Sequence, residues 1–211
     1  MKKHGQWIGL FVLAQVVVFA SLYWAHARAK PVPVVEKPKL IQVSPTALIG
    51  NEAELLGHRR APYTLVEFGD YQCPPCAHRN EQVKRLLEEF PAELRFRFRH
   101  YPLEMHRYAM HSALISEISR ARGQFWKVHD NLYALNTQVT PEQVSKMLNR
   151  LNVDEGNLAP GQMVLAKRRV QEDMKLADTI RVDATPTFLL CCPDGRVVKL
   201  GDLSQLENFI Q

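Results

Sequence analysis

Cysteine is scarce in this chain of 211 residues: there are four. So few exclude a small domain stapled by a disulfide framework, and the chain is long enough to build a core without one. Internal repeats and low-complexity tracts are missing, which argues against a solenoid or a disordered chain. No glycine-rich phosphate loop, hydrolase triad or paired-carboxylate motif occurs. Acidic residues are absent from residues 1–30, which hold Lys2, Lys3, Arg28 and Lys30. These four dominate the net charge of +5. Without them, 23 of the 27 basic residues face 22 acidic ones, so the body is near neutral. A near-neutral body speaks against nucleic acid as a partner. What remains is ordinary globular composition, 46% apolar and 23% charged.

Residues 7–25 are uncharged and almost wholly apolar, with Lys2 and Lys3 before them. That is the pattern of a segment whose N-terminus stays in the cytoplasm. A bilayer-spanning helix needs about 20 such residues and a cleavable signal core about 7–15. The length favours an anchor, yet Ala25-His26-Ala27 and Ala27-Arg28-Ala29 both have the small-x-small form of a cleavage site. Residues 1–29 are therefore expected to be a signal peptide or a membrane anchor, placing the rest in the periplasm or on the outer face of the cytoplasmic membrane. Residues 30–45 begin with a proline-rich run that reads as a semi-extended linker.

The rest, 46–211, reads as an α/β domain. Tyr63–Phe68 is β-branched and aromatic and predicts a strand, broken by Gly69 and Asp70. Val83, Leu86, Leu87 and Phe90 have helical spacing after Pro74, and Pro91 ends that helix. Leu94–Arg99 alternates and predicts a second strand, parallel to the first through a right-handed crossover. A helical block follows over about 103–180, with Gly123 between two helices, a Thr140 cap before Pro141, and Pro160-Gly161 before the last helix. Thr187–Cys191 and Arg196–Leu200 form a hairpin about Pro193-Asp194-Gly195, and a short helix carrying Leu203, Leu206, Phe209 and Ile210 closes the chain.

Cys73-Pro74-Pro75-Cys76 stands after a strand and at the start of a helix. There the helix dipole and free amides favour a thiolate on the first cysteine. The second lies about one turn on, near enough to close a disulfide. In an oxidising compartment such a pair calls for disulfide exchange before metal binding.

The run Val66–Cys76 resembles the active-site segment of DsbA-like thiol–disulfide oxidoreductases of the thioredoxin superfamily. Arg99-His100-Tyr101-Pro102-Leu103, Gly123-Gln124-Phe125-Trp126 and Ala184-Thr185-Pro186-Thr187-Phe188 resemble further motifs of that family, in order. The resemblance implies a thioredoxin-like fold with a helical insertion over about 103–180. It implies protein thiols and disulfides as substrates, no cofactor and no bound metal. It also implies a membrane recycling partner, either a quinone-linked oxidase or a thiol reductase. Cys73 resembles the family's nucleophile, Cys76 its resolving cysteine, and Pro186 its cis-proline, beside which the Thr185 backbone would pair with substrate peptide. Glu67 resembles the buried acid that assists proton transfer at the resolving cysteine, whereas a bare strand reading makes it a surface carboxylate. Asp70 is expected to face solvent.

Two features depart from the family, the dipeptide between the cysteines and Arg181. Neither Pro74 nor Pro75 carries a backbone N–H, so the Cys76 amide and the dipole are left to stabilise the thiolate. The expectation is a weaker oxidant than the strongest family members, working as a reductant or in isomerisation. Arg181 stands where the family often has glycine.

Cys191 and Cys192 point to opposite faces of a strand, and a bridge between neighbours would be strained. They read as one buried small side chain and one partly exposed thiol; the competing readings are an auxiliary redox pair and a copper or zinc site shared with Cys73 and Cys76, as in a thiol-based copper-binding module. His78 could influence the thiols. His100, His106, His111 and His129 read as surface or capping residues, Phe125 and Trp126 as packing. Arg95, Arg97 and Arg99 share a strand face that reads as a solvated or stem-packed edge.

Overall fold

The computed structural model describes residues 36–51, 54–153 and 161–210, with Gln15, Phe19 and Trp24. The rest of the apolar segment 7–25, both cleavage motifs, residues 30–35 of the linker and Pro160 lie outside the described residues. Among the described residues no helix is long and apolar enough to cross a membrane. Residues 1–35 and 36–211 divide as separate units.

The second unit begins with strand β1 (Lys39–Leu40) and a short helix α1 (Pro45–Ile49). Strands β2 (Leu56–Gly57) and β3 (Tyr63–Gly69) follow, then helix α2 (Pro74–Glu89) and strand β4 (Leu94–His100). The insertion holds α3 (Ala109–Arg120), α4 (Phe125–Leu135), α5 (Pro141–Arg150) and α6 (Gln162–Thr179). Strands β5 (Thr187–Cys191) and β6 (Val197–Leu200) and a 3₁₀ turn (Leu203–Asn208) complete it. The sheet runs β1-β6-β5-β3-β4-β2. β3 and β4 are parallel, as a crossover through α2 requires, and β5 joins β3 antiparallel.

β3, β4 and β5 are buried on both faces, so side-chain alternation sorts them into two cores. Leu65, Phe96, Phe98 and Phe188 pack with α2, α4 and α5. Val66, Phe68 and Leu189 pack with Leu48 of α1 and Ala177 of α6. Thr140 caps α5 as expected, its hydroxyl accepting from the Gln143 amide at 3.3 Å.

Several expectations are corrected. The linker is no free stalk at its end, because Lys39 and Leu40 pair with Lys199 and Val198 on the β6 edge, and Gln205 Nε2 donates to the Glu36 carbonyl at 2.7 Å. The strand does not stop before Gly69, which pairs with His100. Arg97 and Arg99 are buried, not a solvated edge. Arg97 pairs with Glu54, and Arg99 Nη1 donates to Asp173 Oδ1 at 2.5 Å while its other nitrogens satisfy α1 carbonyls. A buried guanidinium survives only when paired in this way. His100 and His129 are buried as well: His100 Nε2 lies 2.9 Å from Glu117 Oε1, and His129 sits among aromatic rings. Both Cys191 and Cys192 are buried, one in each core, so neither is a partly exposed thiol.

Arg181 has φ 59, in the left-handed region. It ends α6: its amide donates to Asp178 and the Val182 amide to Ala177. Those two bonds form a Schellman cap, whose left-handed position glycine usually fills. The loop therefore keeps a glycine's backbone with an arginine in place.

Candidate active site

Cys73 is the N-cap of α2, and Pro74 and Pro75 fill the first helical positions. Proline suits this place because its fixed φ starts a helix and the first amides have no partner to lose. The loop Gly69–Cys73 is held by Asp70, which is buried rather than facing solvent. Its carboxylate accepts from the Gln72 amide at 2.8 Å and the Leu103 amide at 2.8 Å, and lies 2.7 Å from His106 Nδ1. Asp70 thus ties the cysteine loop to the loop after β4. Gln72 adds a second tie, accepting from the Tyr108 amide at 2.5 Å.

All four cysteines are free thiols. Cys73 Sγ donates to the Thr185 carbonyl at 3.3 Å. The Thr185–Pro186 peptide is cis, and the contact between Cys73 and Thr185 sets this loop against the first cysteine. The Thr185 hydroxyl is buried without a partner and is a ready donor to a thiolate. The Cys73 pKa is lowered to about 6, chiefly by the hydrogen bond from the Cys76 thiol, with the Thr185 hydroxyl and the Cys76 amide adding to it against partial burial. Cys76 moves the other way. Burial pushes its thiol up, helped by the hydrogen bond it gives to Cys73 and by the nearby charges of Glu67 and Cys73. Two thiols with separated proton affinities suit an attacking and a waiting role.

Glu67 lies fully buried on β3, between Phe98 of β4 and Phe188 of β5. Burial raises its pKa to about 8, opposed by a hydrogen bond from Tyr133 and reinforced by the Cys73 charge. Tyr133 Oη donates to Glu67 Oε1 at 3.2 Å, and Glu67 Oε2 has no partner. Gly69 makes this pair possible. A Cβ there would stand 2.7 Å from Glu67 Oε1, 2.7 Å from Tyr133 Oη and 2.5 Å from Phe98 Cε2. The glycine is present for space.

The structure thus brings Cys73, Cys76, Glu67, Thr185 and Pro186 together, with Pro74 and Pro75 exposed at the rim. His78 is exposed on α2. Cys191 pairs with Thr64, at the opposite end of β3 from the cysteine loop, so the four thiols do not meet. Among the described residues no three His, Cys, Asp or Glu side chains could hold a metal. Sequence reasoning missed Tyr133, Asp70, Gln72 and the purpose of Gly69. Tyr133 left a faint signal, a polar aromatic on the inward face of α4 beside Leu132 and His129. The Asp70–His106 tie left none.

A family model described as "Thioredoxin" matches residues 51–211. The Na(+)/H(+) antiporter NhaA 1 of Salinispora arenicola is 37% identical over 139 residues, 64% of this chain and 21% of that protein. The chain therefore spans about a fifth of the length of this curated relative. A thioredoxin-like oxidoreductase from Silicibacter pomeroyi superposes with a TM-score of 0.68 at 23% identity, covering 80% of this chain and 96% of that one. Pseudomonas aeruginosa DsbA2 superposes with 0.58 at 24% identity, covering 74% and 91%. Both likenesses are of fold. The chain belongs to the thioredoxin family and has the DsbA-like form of its fold, a thioredoxin sheet carrying a helical insertion.

Proposed function

We propose that this protein is a thiol–disulfide oxidoreductase that exchanges disulfides with protein substrates through Cys73 and Cys76. The observation that carries the reading is the opposed pair of thiols: Cys73 with its pKa lowered to about 6 at the helix N-terminus, and Cys76 buried beneath it with its thiol pushed up. At neutral pH Cys73 is mostly thiolate. It attacks one sulfur of a substrate disulfide, that S–S bond breaks, and the other substrate sulfur leaves as thiolate. Cys76 gives its proton to Glu67 and attacks Cys73 Sγ. The mixed disulfide breaks, a Cys73–Cys76 disulfide forms, and the second substrate thiolate departs. The substrate has gained two electrons and the protein has lost them; substrate oxidation runs the same steps backwards. Pro186 has no N–H, and the Thr185 backbone beside Cys73 is the pairing edge for an extended substrate segment.

The thiol pKa also sets the strength of the oxidant. A value near 6 lies between roughly 7 for thioredoxin and roughly 3.5 for DsbA itself. A more stabilised thiolate favours the dithiol form, so this protein is a weaker oxidant than DsbA, suited to reduction or isomerisation. Residues 1–29 serve export, as anchor or cleaved signal, and a quinone-linked oxidase or a thiol reductase of the membrane resets the cysteines. The test is insulin reduction under dithiothreitol. The protein accelerates it, and Cys73→Ser abolishes the acceleration; undiminished activity in Cys73→Ser overturns the mechanism.

A further inference from the structure

Glu67 is reached by side chains from five elements. β4 and β5 offer it Phe98 and Phe188. α2 offers Cys73 and Cys76, whose charges couple to it. The loop after β3 offers Tyr71, held protonated by burial. α4 offers Tyr133, also held protonated by burial, with His129 kept neutral beside it. The charge acting on Glu67 is therefore the Cys73 thiolate, and the hydrogen bond that answers it comes from Tyr133.

Tyr133 is poorly placed to be a mere filler. Its ring is locked on three sides, with centroids 5.0 Å from Tyr71, 6.0 Å from Phe98 and 4.9 Å from His129. Its hydroxyl and the Glu67 carboxylate share the space that Gly69 leaves open. The bond occupies Oε1 and leaves Oε2 as the unpaired oxygen. Glu67 belongs to the sheet and Tyr133 to the insertion, 66 residues apart in the chain.

We infer that Tyr133 is a positioning residue of the exchange reaction: the insertion reaches into the site through this hydroxyl, orients the Glu67 carboxyl, and leaves Oε2 to take the proton of Cys76. The inference rests on Glu67 being that proton acceptor. The proton leaves Cys76 Sγ for Oε2, the thiolate so formed attacks Cys73 Sγ of the mixed disulfide, and the substrate sulfur leaves with the electron pair. A phenol donating to a carboxylate favours its ionised form, so Tyr133 keeps Glu67 a competent acceptor nearer neutral pH than burial alone would allow.

The test is the pH profile of resolution, followed in stopped flow from protein carrying a mixed disulfide at Cys73. The wild-type rate rises through a midpoint below the Glu67 value of about 8, because Cys73 in the mixed disulfide carries no charge to raise it while burial still does. Tyr133→Phe moves this midpoint up by about one pH unit, the size expected for one hydrogen bond to a charged group. 3-Fluorotyrosine at position 133, a stronger donor of nearly the same shape, moves it down and keeps the test open should Tyr133→Phe fold poorly. Glu67→Gln removes the inflection whichever residue stands at 133. An unmoved midpoint in both position-133 variants, with Glu67→Gln still removing it, overturns the role of Tyr133 alone. An inflection that survives Glu67→Gln overturns the proton role of Glu67 and this inference with it.

Discussion

Replacing Glu67 by glutamine should stabilise the protein, and increasingly so as pH rises. Glu67 is fully buried, with its pKa raised from 4.5 to about 8. The folded state therefore holds the proton over a range where the unfolded chain has lost it. A raised carboxyl contributes its full stability below the unfolded pKa and loses it as pH climbs through the folded one. The slope is about −1.4 kcal/mol per pH unit between pH 5 and 7. Between pH 5 and pH 8 the loss comes to about 3.5 kcal/mol, and about 5 once both pKa values are passed. The disulfide form is the one to measure, because Cys73 cannot titrate there and burial, the largest cause of the shift, persists. Cys73 in the dithiol form acts with the opposite sign, its depressed pKa adding stability as pH rises from about 6 toward 9. The assay is urea unfolding of oxidised wild type and oxidised Glu67→Gln at pH 5, 6, 7 and 8. Other titrations cancel in the difference, which should shift in favour of the variant by at most about 3.5 kcal/mol across the series, since the disulfide form keeps the burial that raises Glu67 and loses the Cys73 charge. A pH-independent difference would refute the placement of an ionisable carboxyl in this core.

Other outcomes follow from the same geometry. Gly69→Ala forces a methyl against Phe98, Glu67 and Tyr133 and should cost about 1–3 kcal/mol in denaturant unfolding. Asp173→Ala strands the buried Arg99 guanidinium and should cost about 3–5 kcal/mol by the same assay. Alkylation of the dithiol protein by iodoacetamide should titrate at Cys73 with a midpoint near pH 6. Its potential against glutathione should fall well below the roughly −120 mV of DsbA; a value that high contradicts the weaker-oxidant reading.

Local chemistry was legible in the sequence. Tyr63–Phe68, Leu94–Arg99 and Thr187–Cys191 are strands where β-branched and alternating residues say so, and the Thr140-Pro141 start of α5 is capped as its residues require. The cysteine pair stands out because its chemistry depends on spacing, whereas Thr185-Pro186 is legible only through the family resemblance. The arginines of β4 misled because alternation reports a face, not its cover. Asp173, the partner that makes Arg99 burial tolerable, lies 74 residues away. Asp70 reads as solvent-facing for a similar reason, since the groups that meet its carboxylate, the Leu103 amide and the His106 ring, come from another loop. Gly69 looked like a strand breaker because its reason for being small, the Tyr133 hydroxyl, arrives from the insertion.

The measurement that bears most directly on disulfide exchange through Cys73 is trapping with Cys76→Ser. That variant retains the thiol of lowered pKa and lacks the one that releases the substrate. Incubated with a disulfide-bonded protein and quenched with acid, it should accumulate a covalent complex. Reductant should dissolve the complex, and peptide mass spectrometry should map its bond to Cys73. A complex bonded instead through Cys191 or Cys192, or no complex at all, would contradict the account.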